Sequence, residues 1–84
     1  MNLTFTPKGW NHYQFWSEND REIFKKINRL IEECRRHPFD GTGKPEPLKG
    51  DLSGWWSRRI DRVHRLVYRV ENDILLIVQC RYHY

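Results

Sequence analysis

The feature that most constrains this 84-residue sequence is a series of three β-type runs in its C-terminal part. The runs extend from Trp55 to Ile60, from His64 to Val70 and from Ile74 to Tyr82. Only three residues separate each run from the next, whereas a parallel crossover needs about a dozen or more. The sequence therefore predicts three consecutive antiparallel strands.

The N-terminal residues carry a strand signal followed by a helix start. Leu3 and Phe5 alternate with polar neighbours, which is typical of a short strand. Thr6 can cap a helix and Pro7 is tolerated at its first position, so a helix is predicted to begin there. Aromatic residues follow at helical spacing, namely Trp10, Tyr13 and Trp16. The polar residues 17–20 end this helix and offer caps for another.

A second helix is predicted by an apolar stripe with a period close to 3.6 residues. The stripe consists of Ile23, Phe24, Ile27, Leu30, Ile31 and Cys34. Pro38 stops the helix, and the Pro- and Gly-rich residues 38–54 read as a loop. Two helices followed by an antiparallel sheet predict an α+β fold, and the length fits one domain over residues 1–84.

Composition excludes several classes of protein. Aromatic residues make up 14% of the chain, which argues against disorder. The longest apolar run, Ile74–Val78, is too short to span a membrane, and the N-terminus lacks a signal peptide pattern. Two cysteines, Cys34 and Cys80, are too few for a disulfide framework, so a reduced cytoplasmic protein is expected. The net charge of +4 suits nucleic acid, an acidic protein partner or solubility alone.

Strand alternation separates an apolar face of the sheet from a basic one. The apolar face is predicted to carry Leu66, Tyr68, Val70, Leu76, Val78 and Cys80. The opposite face is predicted to carry Arg59, Arg65, Arg81 and His83. Several arginines on one face suit a phosphate ligand, because guanidinium presents a planar fork of donors to oxyanions.

Residues near this face could perform acid–base chemistry. His83 can donate or accept a proton at neutral pH. Glu46 lies in the Pro/Gly loop between two prolines, and Lys44 and Lys49 add positive charge there. A carboxylate, a histidine and an arginine suffice for RNA cleavage by attack of the ribose 2′-OH, without a metal ion.

The same residues also permit simpler interpretations. A sheet arginine is usually solvated or ion-paired, and a histidine next to the last residue usually lies in a frayed tail. Cys80 and His83 have the C-x-x-H spacing, but no second ligand pair follows, so neither a metal site nor another cofactor is predicted. A non-catalytic RNA- or ribosome-binding module, using the basic face and aromatics such as Trp55, remains an alternative.

Several segments in order resemble the YoeB (Txe) toxins of the RelE superfamily. These segments are GKPEPLK at residues 43–49, LSGWWSRRI at 52–60, HRLVY at 64–68 and the terminal CRYHY at 80–84. The resemblance covers the whole chain. It implies a RelE-like α+β domain, related to microbial ribonucleases, in which two helices pack on an antiparallel sheet.

The resemblance also implies a division of roles among the site residues. The general base of the family falls on Glu46, the general acid on His83 and the phosphate-stabilising arginine on Arg65. The family positions that contact or orient the substrate fall on Lys49, Arg59 and Tyr84. The sequence departs from the family pattern at none of these positions.

The biological setting is likewise implied by the resemblance. Members of this family are toxins of bacterial toxin–antitoxin modules that cleave mRNA in the A site of the 70S ribosome and so arrest translation. Their partner is a YefM-type antitoxin, whose acidic C-terminal segment wraps the toxin. The oligomeric state stays open, with a homodimer as one alternative.

Overall fold

The computed structural model describes all residues from Met1 to Tyr84. In chain order, the elements are β1 (Asn2–Phe5), α1 (Pro7–Asn19), α2 (Arg21–Arg36), β2 (Glu46–Pro47), a 3₁₀ turn (Gly50–Leu52), β3 (Trp56–Arg59), β4 (Arg65–Glu71) and β5 (Ile74–Gln79). The two helices pack on one face of a five-stranded sheet. The predicted α+β architecture is therefore confirmed.

The sheet has the strand order β1-β5-β4-β3-β2. Strands β2 to β5 are antiparallel neighbours, as predicted for the C-terminal runs. The β4–β5 turn places Asn72 and Asp73 at φ 52° and 61°, the backbone of a tight hairpin turn. The sheet as a whole is mixed, because β1 pairs parallel to β5 across some 70 residues of chain, a pairing that local patterns cannot predict.

Both helices begin at the capping residues that the sequence indicated. The Thr6 side chain accepts a hydrogen bond from the Gly9 N–H at 3.1 Å, and Pro7 is the first helical residue. The Asp20 carboxylate accepts from the Ile23 N–H at 3.1 Å, so one residue both ends α1 and caps α2. Helix α2 ends at Arg36, two residues before Pro38.

The core lies between the helices and the sheet. Its buried members are Trp16, Ile27, Leu30, Ile31, Cys34, Ile60, Leu66, Tyr68, Leu75, Ile77 and Cys80. Both thiols are free, and burial raises the pKa of Cys34 to about 11 and that of Cys80 to about 12. The cysteines are therefore packed thiols of low reactivity. No helix is long and apolar enough to cross a membrane.

The predicted face of β5 is wrong. Leu75 and Ile77 are fully buried in the core, whereas Leu76 and Val78, which were assigned to it, are only half-buried. The strand is apolar on both faces, so alternation could not identify the buried one. The pairing with β4 also shifts register at Val67 and Tyr68, which returns Cys80 to the core side.

Helix α1 crosses β5 at Gly9, and this contact predicts an unusual response to substitution. Alanine normally stabilises a helix by about 0.5–1 kcal/mol relative to glycine. A Cβ atom at Gly9 would overlap the backbone carbonyl of Ile77. We expect Gly9→Ala to lower the free energy of unfolding by about 1–3 kcal/mol in urea denaturation. Asn11→Ala, on the exposed part of the same helix, is the control and should be neutral or slightly stabilising.

Candidate active site

The loop carboxylate Glu46 is held on the sheet by the edge strand β2. Glu46 pairs with Ser57 of β3, and directly opposed residues share a face. The prolines at 45 and 47 are compatible with this position, because an edge strand needs no ladder hydrogen bond on its outer side. The exposed carboxylate therefore extends from the face that is turned away from the helices.

The C-terminal residue reaches this carboxylate. The Tyr84 hydroxyl donates a hydrogen bond to Glu46 Oε1 at 3.1 Å, and the Ser57 hydroxyl donates to Tyr84 Oη at 3.5 Å. The His83 ring lies beside the Tyr84 ring with 4.5 Å between centroids. Tyr84 thus contacts both Glu46 and the ring of its neighbour His83, although 36 residues lie between Glu46 and His83 in the sequence.

Backbone contacts attach the last residues to the sheet. The Arg65 N–H of β4 donates to the Tyr82 carbonyl at 3.0 Å. The Gln79 side-chain amide donates to the carbonyls of Tyr82 and His83 at 3.3 and 3.1 Å. The C-terminus therefore follows a defined path across the sheet, unlike a frayed tail.

Arg59 and Arg65 form a directly opposed pair on β3 and β4, on the same face as Glu46 and Ser57. The Arg65 guanidinium donates through Nη1 to the carbonyls of Asp61 and His64 at 2.9 and 3.0 Å. Its Nε and Nη2 groups make no hydrogen bond within the chain, and neither arginine has a carboxylate partner. Both guanidinium groups can therefore bind an oxyanion.

Lys44 joins this pair through a close approach of the loop to β3. The Arg59 N–H donates to the Gly43 carbonyl at 2.7 Å. Gly43 has φ 88°, and a Cβ there would come within 3.0 Å of the Arg59 carbonyl oxygen, so the contact requires glycine. The resulting groove of about 620 Å³ is lined by Lys26, Thr42, Gly43, Lys44, Arg59, Ile60, Asp61, Arg62 and Arg65. Five of these residues are cationic, which favours a polyanionic ligand.

Two predicted substrate contacts lie apart from this cluster. Lys49 is exposed in the loop after β2, and no hydrogen bond or ion pair joins its side chain to the other predicted site residues. Arg81 was predicted to share a face with Arg59 and Arg65. Its guanidinium instead stacks over the Phe15 ring of α1 at 3.5 Å, because the chain leaves the strand at Gln79 and the alternation stops there.

One arginine with an important structural role, Arg58, is not predicted from the sequence pattern. Its side chain is fully buried on the helix side of the sheet, where it forms an ion pair with Glu33 of α2 at 3.0 Å. It also donates to the carbonyls of His37, Asp40 and Thr42, and its Nε donates to Tyr68 Oη at 3.3 Å. The sequence does contain a signal for its burial, because strand alternation places Arg58 on the same side of the strand as Trp56 and Ile60.

This arginine organises the loop that leads to Glu46. The Glu33 carboxylate accepts from Thr42 and from Arg58, and these hydrogen bonds, that of Thr42 above all, hold its pKa below the usual range. Tyr68 donates in turn to the Pro38 carbonyl at 2.6 Å. Residues 37–42 are therefore held by hydrogen bonds to buried Arg58, to its partner Glu33 and to Tyr68.

The structure contains no group of three or more histidine, cysteine, aspartate or glutamate side chains that could hold a metal ion. Two histidines outside the predicted site, His12 and His64, contact the backbone of the last residues. Neither was singled out in the sequence as a site residue. Residue spacing gives no signal for them, since they approach Cys80 and Tyr82 only through the tertiary fold.

Comparison with solved structures identifies the fold. The YoeB/ParE toxin from Agrobacterium tumefaciens superposes with a TM-score of 0.97 at 51% identity, covering 100% of both chains. A YoeB–YefM complex from Staphylococcus aureus contains a chain with a TM-score of 0.92 and 42% identity, covering 100% of this chain and 98% of that one. A YoeB dimer from the same species gives 0.92 at 44%, with the same coverage.

Comparison of sequences gives the same result. The toxin YoeB of Streptomyces coelicolor is 63% identical over 84 residues, and that of Escherichia coli K12 is 58% identical, each over 100% of both chains. The family model for the YoeB-like toxin of bacterial type II toxin–antitoxin systems matches residues 5–84. The resemblance inferred from the motifs is confirmed, and the chain belongs to the YoeB-like toxins of bacterial type II toxin–antitoxin systems.

Proposed function

We propose that this toxin is a ribosome-dependent endoribonuclease that cleaves mRNA in the A site of the 70S ribosome and thereby inhibits translation. The observation that carries the proposal is the hydrogen bond from Tyr84 to Glu46. This bond joins the Glu46 carboxylate to the residue that follows His83, on the sheet face that also carries Arg59 and Arg65. These are the groups that phosphodiester cleavage by internal attack requires.

The proposed reaction begins with proton removal by the Glu46 carboxylate from the ribose 2′-OH. The 2′-oxygen forms a bond to phosphorus, and the bond from phosphorus to the 5′-oxygen breaks. His83 donates a proton to the departing 5′-oxygen, so the products are a 2′,3′-cyclic phosphate and a 5′-hydroxyl end. Tyr84 orients the substrate and the carboxylate through its hydroxyl group.

Positive charge stabilises the transition state in this scheme. Arg65 would bind the phosphorane-like oxygens through its unpaired Nε and Nη2 groups, with Arg59 beside it. Lys44 and Lys49 would hold neighbouring phosphates, and Arg81 would contribute positive charge from its position against Phe15. The carboxylate, histidine and arginines supply every proton transfer and charge contact of the scheme, so the proposed reaction uses no metal ion.

A YefM-type antitoxin is the proposed protein partner. The Staphylococcus aureus YoeB–YefM complex, whose toxin chain superposes on this one, supports this assignment. An acidic antitoxin segment would bind the five-cation groove and compete with mRNA phosphates for Arg59 and Arg65. We also propose that the free toxin can form a homodimer, which the Staphylococcus aureus YoeB dimer supports, and that it acts in the cytoplasm.

A translation reaction with purified components tests the activity. We expect the protein to cut ribosome-bound mRNA within the A-site codon and to leave 5′-hydroxyl ends, detected by primer extension and end labelling. The same mRNA without ribosomes should stay intact. Stalled ribosomes on uncut mRNA would instead indicate the alternative, a non-catalytic module that binds through the basic groove.

A further inference from the structure

Two histidines hold the C-terminal residues by an unusual contact. The Cys80 N–H donates to Nδ1 of His12 on α1 at 3.2 Å. The Tyr82 N–H donates to Nδ1 of His64, the residue before β4, at 2.7 Å. Each ring therefore accepts from a backbone N–H just before the terminal residues His83 and Tyr84.

These contacts determine the protonation state of both rings. An imidazole Nδ1 can accept a hydrogen bond only when it carries no proton. Both rings must then be neutral, with the proton on Nε2. The imidazolium form has N–H groups on both nitrogens, so protonation would set two donors against each other and break the contact.

The surroundings of His12 favour the neutral ring. Burial lowers its pKa first, the positive charges of Lys8 and Arg81 lower it further, and His64 adds to the effect only when its own ring is protonated. Lys8 projects from the same helix, Arg81 belongs to the C-terminal segment, and His64 is the residue before β4. The Tyr82 ring packs edge-on against His12 with 5.9 Å between centroids. No carboxylate faces this ring to oppose the effect.

His64 is set between α1, the β3–β4 turn and the C-terminal segment. The Trp16 indole packs edge-on against its ring at 4.8 Å between centroids. The Asp61 carboxylate accepts the backbone N–H of His64 at 2.7 Å, and Arg65 Nη1 donates to its carbonyl. The Tyr82 ring lies 6.2 Å away on the remaining side. The ring is thus fixed in orientation by packing and by its own backbone.

The residue that His64 holds has a strained backbone. Tyr82 has φ 69°, in the left-handed region that residues with a side chain rarely adopt. Such a conformation persists only where the surroundings impose it. Here the N–H of Tyr82 is held by His64, and its carbonyl is held by the Arg65 N–H and the Gln79 amide. Loss of one contact would let the residue relax and shift His83 and Tyr84.

We propose that His12 and His64 are positioning residues, which hold residues 80–82 through Nδ1 and so fix His83 and Tyr84 against Glu46. The catalytic part of this inference rests on the proposed function. A consequence is that acidification releases the segment. His12 stays neutral down to its lowered pKa, which lies below the ordinary histidine value of about 6.5, so its contact is retained at neutral pH and is lost only as the pH falls through that lowered pKa.

Nuclear magnetic resonance of the free toxin tests the anchor independently of cleavage. Long-range ¹H–¹⁵N spectra at pH 7.5 should show Nδ1 unprotonated and Nε2 protonated in both rings. The Cys80 amide signal should move on acidification in step with the His12 ring, and His12→Asn should abolish that step. A proton on Nδ1 of either ring at pH 7.5 would overturn the proposal.

Cleavage kinetics test the positioning role. We expect His64→Ala to lower kcat on ribosome-bound mRNA by about 10- to 100-fold with little change in KM. His64→Asn retains an acceptor oxygen near the Nδ1 position and should keep kcat within about 3-fold. His37→Ala, an exposed histidine whose ring makes no hydrogen bond, is the matched control. If the wild type cleaves mRNA and a folded His64→Ala variant has the same kcat, the positioning role is wrong although the proposed cleavage activity stands.

Discussion

Replacing His83 with alanine, or Glu46 with alanine or glutamine, is expected to lower the rate of mRNA cleavage by roughly 100- to 10,000-fold. This is the range typical for loss of a general acid or a general base. Ribosome binding should survive, because the cationic groove that includes Arg59 and Arg65 is unchanged in these variants. Cleavage is measured by primer extension under single-turnover conditions, and binding by co-sedimentation with ribosomes.

Matched controls separate the chemistry from a general loss of charge. Glu18→Gln and His37→Ala alter exposed residues of the same types, away from the site, and should cleave at the wild-type rate. All variants should melt within a few degrees of the wild type, since Glu46 and His83 are both exposed. If the Glu46 and His83 variants cleave like the wild type, the proposed acid and base are wrong.

The stability of the site variants follows from how the C-terminus is attached. Arg65 and Gln79 donate hydrogen bonds to backbone carbonyls of the C-terminal residues. Substitution of side chains at the terminus leaves these carbonyls in place. The Tyr84 hydroxyl contacts Glu46 at an exposed position. Removing these side chains therefore alters the reactive groups without opening the core, so an activity change can be interpreted chemically.

Local patterns predicted the secondary structure well where one face of an element is buried. Helix α2 and the two hairpins have clear signals, namely an apolar stripe and short connections. Strand β5 is different, because its residues Ile74–Val78 are apolar on both faces and its pairing with β4 shifts register at Val67 and Tyr68. Alternation alone therefore selected the wrong face.

The residues proposed for the site have clearer sequence signals than the contacts that hold them in place. The motifs indicated Glu46 and His83, and the structure places both near Tyr84. His12 lies 68 residues from Cys80 in the chain, and an imidazole that accepts from a distant backbone N–H has no sequence signature. Contacts of this kind arise from the packing of α1 on the sheet and could not be inferred from spacing.

Arg58→Met is expected to cause the largest loss of stability among the substitutions considered. Arg58 is fully buried whereas Glu33 is partly exposed, so the main loss is that of the donor to several acceptors, and each buried acceptor left without a hydrogen bond costs about 1–3 kcal/mol. Here Glu33 and the carbonyls of His37, Asp40 and Thr42 would lose their donor. For a domain of this size, that corresponds to a fall in Tm of roughly 15 °C or more.

The neighbouring arginine supplies the control. Arg59→Met removes the same charge from an exposed position outside the buried network, and its Tm should stay within a few degrees of the wild type. Calorimetry or thermal circular dichroism measures both. Near-equal melting temperatures for the two variants would show that the buried network adds little to stability.

The Arg58 variant should also link stability to the site. Because Arg58 binds the backbone of the loop that precedes Glu46, its loss should loosen this loop before the core melts. We expect faster amide hydrogen exchange at Thr42 and Arg59, whose N–H groups donate to Glu33 and to the Gly43 carbonyl, in Arg58→Met at temperatures where the core of α2 remains protected. The rate of mRNA cleavage should also fall in this variant, since Lys44 and Glu46 lie in the same loop segment. If amide exchange at Thr42 is unchanged in a destabilised variant, Arg58 stabilises only the core. The position of the site residues is then determined by the edge pairing of β2 with β3.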